Sequence, residues 1–290
     1  MLHRFILHNE TVREATAAVL SPGQVGLLSG WGVFSTLRVA DGVLFAWERH
    51  WARIMRDAAA LHVPIPADSE KVRSGLLELI DANKAYNSTL RLVIVRNGGG
   101  MWASPSPERA SDVIALTADT KDWGEGVKLA YQKEARHAAN SFAGAKMLSW
   151  APNLTWLESA QARGFDEVVL LNERGEIAEC TSANIFVARG GEVWTPPLTA
   201  GCLPGITREV LLEEIRVPGI RIAEKVLMPA DLETADEVFI TSTTRNLIPV
   251  VEVEQRKVGG GGVVCAALDA AFGGFVQRYV TAHKETPAAR

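Results

Sequence analysis

The chain has 290 residues and a mass of 31.4 kDa, a size that suits two domains and buries a sizeable core without metal or disulfide staples. Hydrophobic residues make up 47% and charged residues 22%, which excludes a disordered chain. A formal net charge of −4 argues against a general nucleic-acid binder, and three scattered cysteines with no CxxC form neither a disulfide framework nor a zinc-ligand spacing.

The opening MLHRFILHNE is an apolar stretch broken by His3, Arg4 and His8 and does not read as a signal peptide. With the cysteine usage, a reducing cytoplasm is the simplest setting. Residues 36–40 and 43–47 are β-prone runs joined by Asp41-Gly42, a type I′ turn pair. Trp51, Ile54, Met55, Ala58 and Ala59 then recur at helical spacing and predict a helix over 48–61, stopped by Pro64 and Pro66. A second helix is expected over 70–82. Strands are expected at 90–95 and 113–117. The polar, turn-rich stretch 121–126 marks the domain boundary, giving a smaller α/β domain at 1–122 and a larger domain at 123–290.

Beyond it, 153–163 reads as a helix. Strands follow at 167–171, 176–180, 184–189 and 192–195, with turns at 172–175 and 190–191. A helix over 208–215 opens on Gly205-Ile206-Thr207, and 237–241 is a strand ending in a Ser/Thr cluster. The apolar stretch 262–276, broken by Asp269 and preceded by the glycine turn 259–262, suits a buried helix and is too short to span a bilayer. The irregular interleaving of strands and helices predicts an α/β or α+β protein with two unequal domains.

GxGxxG after a strand, GxxxxGK[ST], HExxH and GxSxG are all missing, and the six histidines show no metal spacing. Two other segments stand out. Leu203-Pro204-Gly205-Ile206-Thr207-Arg208 puts Gly and Thr at a helix start, where free backbone N–H groups and the dipole bind phosphate, although Thr207 also suits a plain N-cap. Ile240-Thr241-Ser242-Thr243-Thr244-Arg245 ends a strand with hydroxyls and a guanidinium, a second anion cradle. Lys146 sits in the nearly uncharged Phe142–Ser149 stretch. It reads either as a lysine snorkelling to solvent or as a desolvated amine suited to bonding an aldehyde. Glu179 reads either as a solvated strand end or as a carboxylate partner for a protonated pyridine nitrogen. An amine, a carboxylate and a phosphate cradle are what pyridoxal phosphate needs.

On these residues the chain resembles the class IV aminotransferases, the fold type IV enzymes that use pyridoxal 5'-phosphate. That family includes branched-chain aminotransferases, D-amino-acid aminotransferases and aminodeoxychorismate lyases. The most specific part runs from Gly164-Phe165-Asp166-Glu167 through Glu179-Cys180-Thr181-Ser182-Ala183-Asn184 and Thr195-Pro196-Pro197-Leu198 to Leu203–Arg208. The resemblance implies a two-domain fold with the cofactor on the larger domain, and a homodimer. Lys146 takes the place of the catalytic lysine that is joined to the cofactor, and Glu179 that of the partner of the pyridine nitrogen. Ile206 and Thr207 match the backbone donors to the phosphate. Thr243 matches a phosphate-binding threonine, and Arg53, in His50-Trp51-Ala52-Arg53, a phosphate-binding arginine. Arg56, one turn on, is its local rival. Arg96 matches an arginine for the substrate carboxylate, with a solvated strand-end charge as the alternative, and Thr244 is a further substrate contact.

The resemblance implies a branched-chain-type aminotransferase acting on an amino acid and a 2-oxo acid. The alternatives are an aminodeoxychorismate lyase-like enzyme, a D-amino-acid aminotransferase, and a cofactor-binding protein without turnover. Thr195–Leu198 and Leu203–Arg208 look like the branched-chain type. The lysine segment looks more like the D-amino-acid or lyase branch. Ala151 and Thr89 stand where branched-chain enzymes usually carry tyrosines, and Arg245 also resembles the lyase branch.

Overall fold

The structure is a computed structural model that describes residues 1–17, 19–20, 23–100, 108–259 and 262–284, so Gly260 and Gly261 of the expected glycine turn lie outside the described residues. The chain folds as two compact units. One comprises Met1–Lys121, Lys146–Trp150 and the chain from Gln277; the other comprises Asp122–Ala145 and Ala151–Val276. Lys146 thus groups with the first unit, whereas the sequence division places it in 123–290.

The first unit contains β1 (Leu2–His8), β2 (Thr11–Glu14), α1 (Val25–Ser29), β3 (Gly32–Ala40), β4 (Val43–Leu44), α2 (Trp47–Ala60), α3 (Ser69–Asn83), β5 (Ser88–Arg96) and β6 (Ser111–Ala118). Its strands form one antiparallel sheet in the order β2-β1-β6-β5-β3-β4. Asp41 and Gly42 both take positive φ, 48° and 82°, as the expected type I′ turn requires. The apolar stripe of α2 sends Trp47, Trp51, Ile54 and Ala58 into a core shared with Leu37, Leu90 and Leu92 of the sheet. Asp68 caps α3, its carboxylate accepting from the N–H groups of Glu70 and Lys71 at 3.0 Å.

The second unit contains β7 (Val127–Arg136), α4 (Ala151–Gln161), β8 (Glu167–Asn172), β9 (Ile177–Cys180), β10 (Asn184–Arg189), β11 (Glu192–Thr195), α5 (Ile206–Glu213), β12 (Arg221–Glu224), α6 (Pro229–Glu233), β13 (Glu237–Ser242), β14 (Asn246–Val253) and β15 (Arg256–Lys257). A nine-stranded mixed sheet runs β12-β11-β10-β13-β14-β7-β8-β9, with β15 paired to β14. Strands β8, β10 and β13 are almost wholly buried, which is why they read as continuous apolar runs.

The last helix, α7 (Val263–His283), outruns the stretch expected at 262–276. Its 21 residues are long and apolar enough to cross a membrane by length and composition, so length does not exclude a span as the sequence reading supposes. Its residues Cys265, Leu268, Phe272 and Val276 nonetheless form one buried stripe, the pattern of a helix lying on a core.

The sequence reading does not anticipate β1, β7 or β14. The first two alternate apolar residues with His, Arg, Lys and Glu because part of each is exposed. The third contains Pro249, which removes a ladder donor and argues locally against a strand.

Candidate active site

In the first unit, α2 presents His50, Arg53 and Asp57 from one buried face. The Arg53 guanidinium donates to the Ser35 hydroxyl on β3 at 2.8 Å, and that hydroxyl pairs with His50 Nδ1 at 2.8 Å. Burial, with the charges of Arg53 and Lys146, pushes the His50 imidazole well below the usual histidine range. Arg53 is buried, whereas Arg56 is exposed and bonded to Asp57.

The other Asp57 oxygen accepts from the backbone N–H of Lys146 at 3.0 Å. The Lys146 segment runs along the edge of β3. Phe34 N donates to Lys146 O at 3.0 Å, Leu148 N donates to Gly32 O at 2.9 Å, and Val33 bridges to Met147. Lys146 Nζ lies 4.6 Å from the centroid of the Phe34 ring. Arg53 and Lys146 are therefore brought together through α2 and β3.

The same ring carries a residue that sequence reasoning missed. The Arg91 guanidinium lies 4.8 Å from the Phe34 centroid. It is half-buried, burial lowers its pKa from the ordinary value, and it makes no hydrogen bond or ion pair among the described residues. Arg96 is placed differently. Its Nε donates to Gly98 O at 2.7 Å, its Nη1 to His62 O at 2.6 Å, and its Cζ lies over the Trp31 ring, 4.1 Å from the centroid. Along β5, residues 91 and 96 fall on opposite faces of the sheet. The register that pairs Thr36 with Arg91 and Phe34 with Val93 was the only signal for Arg91, and it needs the fold.

In the second unit, Glu179 on β9 accepts from Arg136 Nε at 3.0 Å and from the backbone N–H of Leu203 at 3.1 Å. Arg136 also donates to Asn153 Oδ1, and Asn153 donates to Thr181 O at 2.7 Å. Leu203 leads into α5, whose N-cap is Gly205 rather than Thr207. A Cβ at Gly205 would stand 2.0 Å from Asn184 Oδ1, so glycine is required by space. Ile206 and Thr207 are buried, and their first-turn N–H groups find no acceptor among the described residues.

Asn184 faces Thr241 across β10 and β13 and also holds Leu203 O at 2.9 Å. The start of α5 and the end of β13 therefore lie at one end of the sheet. Thr243 and Thr244 follow, half-buried, in the turn between β13 and β14, with Thr244 Oγ1 3.3 Å from Ser242 Oγ. Glu179, Ile206, Thr207 and the Thr243–Thr244 turn thus share one region of the second unit.

This donor set fits pyridoxal phosphate. Two buried, unclaimed amides at a helix start suit a phosphate dianion. A carboxylate oriented by an arginine suits a protonated ring nitrogen; the first unit, taken by itself, offers the primary amine of Lys146.

Comparison with known proteins agrees with the fold. The family described as amino-transferase class IV matches residues 32–253. The branched-chain-amino-acid aminotransferase of Pseudomonas aeruginosa is 29% identical over 94% of this chain and 92% of its own length. The D-alanine aminotransferase of Bacillus licheniformis is 28% identical over 88% and 90%. Among solved structures, the branched-chain amino acid aminotransferase from Escherichia coli superposes with a TM-score of 0.86 at 26% identity, covering 94% of each chain. The fold type IV architecture and the family match together establish that this chain belongs to the class IV aminotransferases.

Proposed function

We propose that this protein is a pyridoxal-phosphate-dependent aminotransferase that moves the amino group of a branched-chain-type amino acid to a 2-oxo acid. The homodimer and cytoplasmic setting implied by the resemblance are part of this reading. The observation that carries it is the pair of buried, unclaimed amides of Ile206 and Thr207 in the same unit as an arginine-held Glu179.

In the second unit Ile206, Thr207 and Thr243 would hold the cofactor phosphate, and in the first unit Arg53 is the residue that would bind it. Glu179 would accept from the ring N–H, with Arg136 keeping that carboxylate in place. The bound cofactor supplies an electron sink for the substrate Cα. Lys146 Nζ would tether the cofactor and, once displaced from it by the substrate amine, would take the proton from the substrate Cα as a general base and later return it as a general acid. Arg91, a cation on the ring that Lys146 also covers, takes a substrate carboxylate, with Thr244 as a further substrate contact. Arg96, held by Gly98, His62 and Trp31, orders the end of β5 instead of meeting substrate.

The substrate type follows the names of the relatives and the Thr195–Leu198 and Leu203–Arg208 segments. A lyase-like activity is the second reading, favoured by Thr89 and Ala151 where tyrosines are usual. One paired assay separates them. Leucine with 2-oxoglutarate is expected to yield glutamate, while aminodeoxychorismate in parallel yields no pyruvate. Pyruvate without glutamate would replace the transferase reading with the lyase.

A further inference from the structure

Two charged side chains of the second unit have no part in the chemistry above and are nevertheless buried. Glu167, at the start of β8, is 1% exposed and Arg245, after β13, is 9% exposed. They form an ion pair at 3.2 Å. Enclosing such a pair adds little stability by itself, since apolar residues of the same size commonly serve as well. Its contacts indicate what it does instead.

The Glu167 carboxylate accepts from the hydroxyls of Thr181 and Ser182. Arg245 Nη1 donates to both Ser182 O, at 3.2 Å, and Ser182 Oγ, at 2.9 Å. The guanidinium carbon lies over the Trp123 ring, 3.8 Å from its centroid, and the Nε–H finds no partner among the described residues. Both members therefore grip the turn at Thr181 and Ser182, directly after Glu179 and Cys180. Arg245 is itself the third residue of the turn that carries Thr243 and Thr244. That turn is short: Ser242 pairs with Asn246, Arg245 N donates to Ser242 O at 3.2 Å, and Asn246 takes a left-handed φ of 54°. Three residues spanning a closed hairpin leave little slack, so fixing Arg245 fixes the backbone of Thr243 and Thr244.

We propose that the Glu167–Arg245 pair is a positioning device for the phosphate end of the cofactor site, locking the Thr243–Thr244 turn to the turn that follows Glu179. This rests on the pyridoxal-phosphate reading above. Neither residue is among those that would hold the cofactor; each acts through the turn it holds. Arginine is required because its planar fork reaches the carboxylate and the Ser182 oxygens together while stacking on Trp123, which a lysine does not do.

The test compares two ligands that share a ring and an aldehyde and differ in the phosphate. Wild type, Glu167→Gln and Arg245→Lys are freed of bound cofactor and titrated with pyridoxal phosphate and with pyridoxal, following absorbance of the bound ligand. Loss of a charge-assisted hydrogen bond predicts that the dissociation constant for pyridoxal phosphate rises by about tenfold or more in each variant. Pyridoxal binding is expected to stay within about twofold of wild type, since the ring contacts are untouched. Equal losses for both ligands would make the pair merely structural and overturn the proposal, as would unchanged affinity for both. Circular dichroism checks folding. If a single variant fails to fold, the Glu167→Met/Arg245→Met double variant removes both charges at once, and the same selective loss is expected of it. A wild type that binds neither ligand would fail at the earlier step and overturn the cofactor reading itself.

Discussion

Arg91 and Arg96 show how much a single position on a strand decides. Both are arginines on β5, but only Arg91 shares the Phe34 ring with Lys146, while Arg96 is engaged by Gly98, His62 and Trp31. Removing the Arg91 side chain therefore removes a cation without breaking a side-chain hydrogen bond among the described residues. Arg91→Met is expected to raise KM for the amino acid and lower kcat/KM by about thirtyfold, ~2 kcal/mol, with cofactor affinity unchanged. Arg96→Met is expected to lower thermal stability and leave KM near wild type. Steady-state kinetics with both variants decide it: the reverse pattern would return the carboxylate to Arg96. In the sequence Arg96 was the more conspicuous of the two, because it ends an apolar run and precedes glycines. Arg91 sits inside LRLVIV, where its face depends on a register that no local pattern reveals. Arg53 was preferred to Arg56 on the resemblance, and the fold adds a difference in burial. The apolar spacing of α2 orients the whole helix, and Arg53 falls on the inner side with Ile54 while Arg56 falls outside.

At the scale of elements, the start of α5 depends on one missing side chain. Gly205 has an ordinary φ of −74°, so its role is clearance beside Asn184 and not conformational freedom. Gly205→Ala must displace Asn184 or the helix start, an overpacking cost of about 1–3 kcal/mol. Its unfolding midpoint in denaturant should fall, and the Asn184→Ala background should restore part of the loss. If the two changes add with no restoration, the close approach is not the cause. The segment was legible as a helix start because Gly and Thr precede apolar residues. Its true cap was not, since a glycine offers no side-chain signal and Thr207 offers a false one. Strands fared unevenly. Runs such as VVLL and NIFVA are buried on both faces and announce themselves, whereas β7 and β14 hide behind alternating charges and a proline.

For the whole molecule, buried ionisable groups link folding to pH. His50 is neutral in the folded chain, because burial first, then Arg53 and Lys146, depress its pKa. The unfolded chain takes up a proton below about pH 6.5, which the folded chain does not accept. Stability from this site is therefore full above that value and is lost as pH falls, by at most ~1.4 kcal/mol per pH unit. Thermal unfolding of wild type at about pH 7.5 and 5.5 should show a larger drop than the same pair of measurements on His50→Gln. Parallel drops would mean that His50 carries no such linkage. The sequence reading puts a boundary at 121–126 on composition, but the grouping of Lys146–Trp150 with the first unit leaves no trace there. That return rests on backbone bonds to Gly32 and Phe34, which leave no mark on side-chain pattern.

The same return bears on how such a chain could be inherited. A gene broken between codons 121 and 122 would look like a clean junction, yet the leading product would lose the stretch that completes the edge of β3. It would then expose the backbone donor of Phe34 and acceptor of Gly32 to any passing strand, a known route to aggregation. Exchange of halves between relatives would likewise pair a β3 edge with a foreign lysine segment. The two parts are therefore expected to be passed on together, as a single unit of descent.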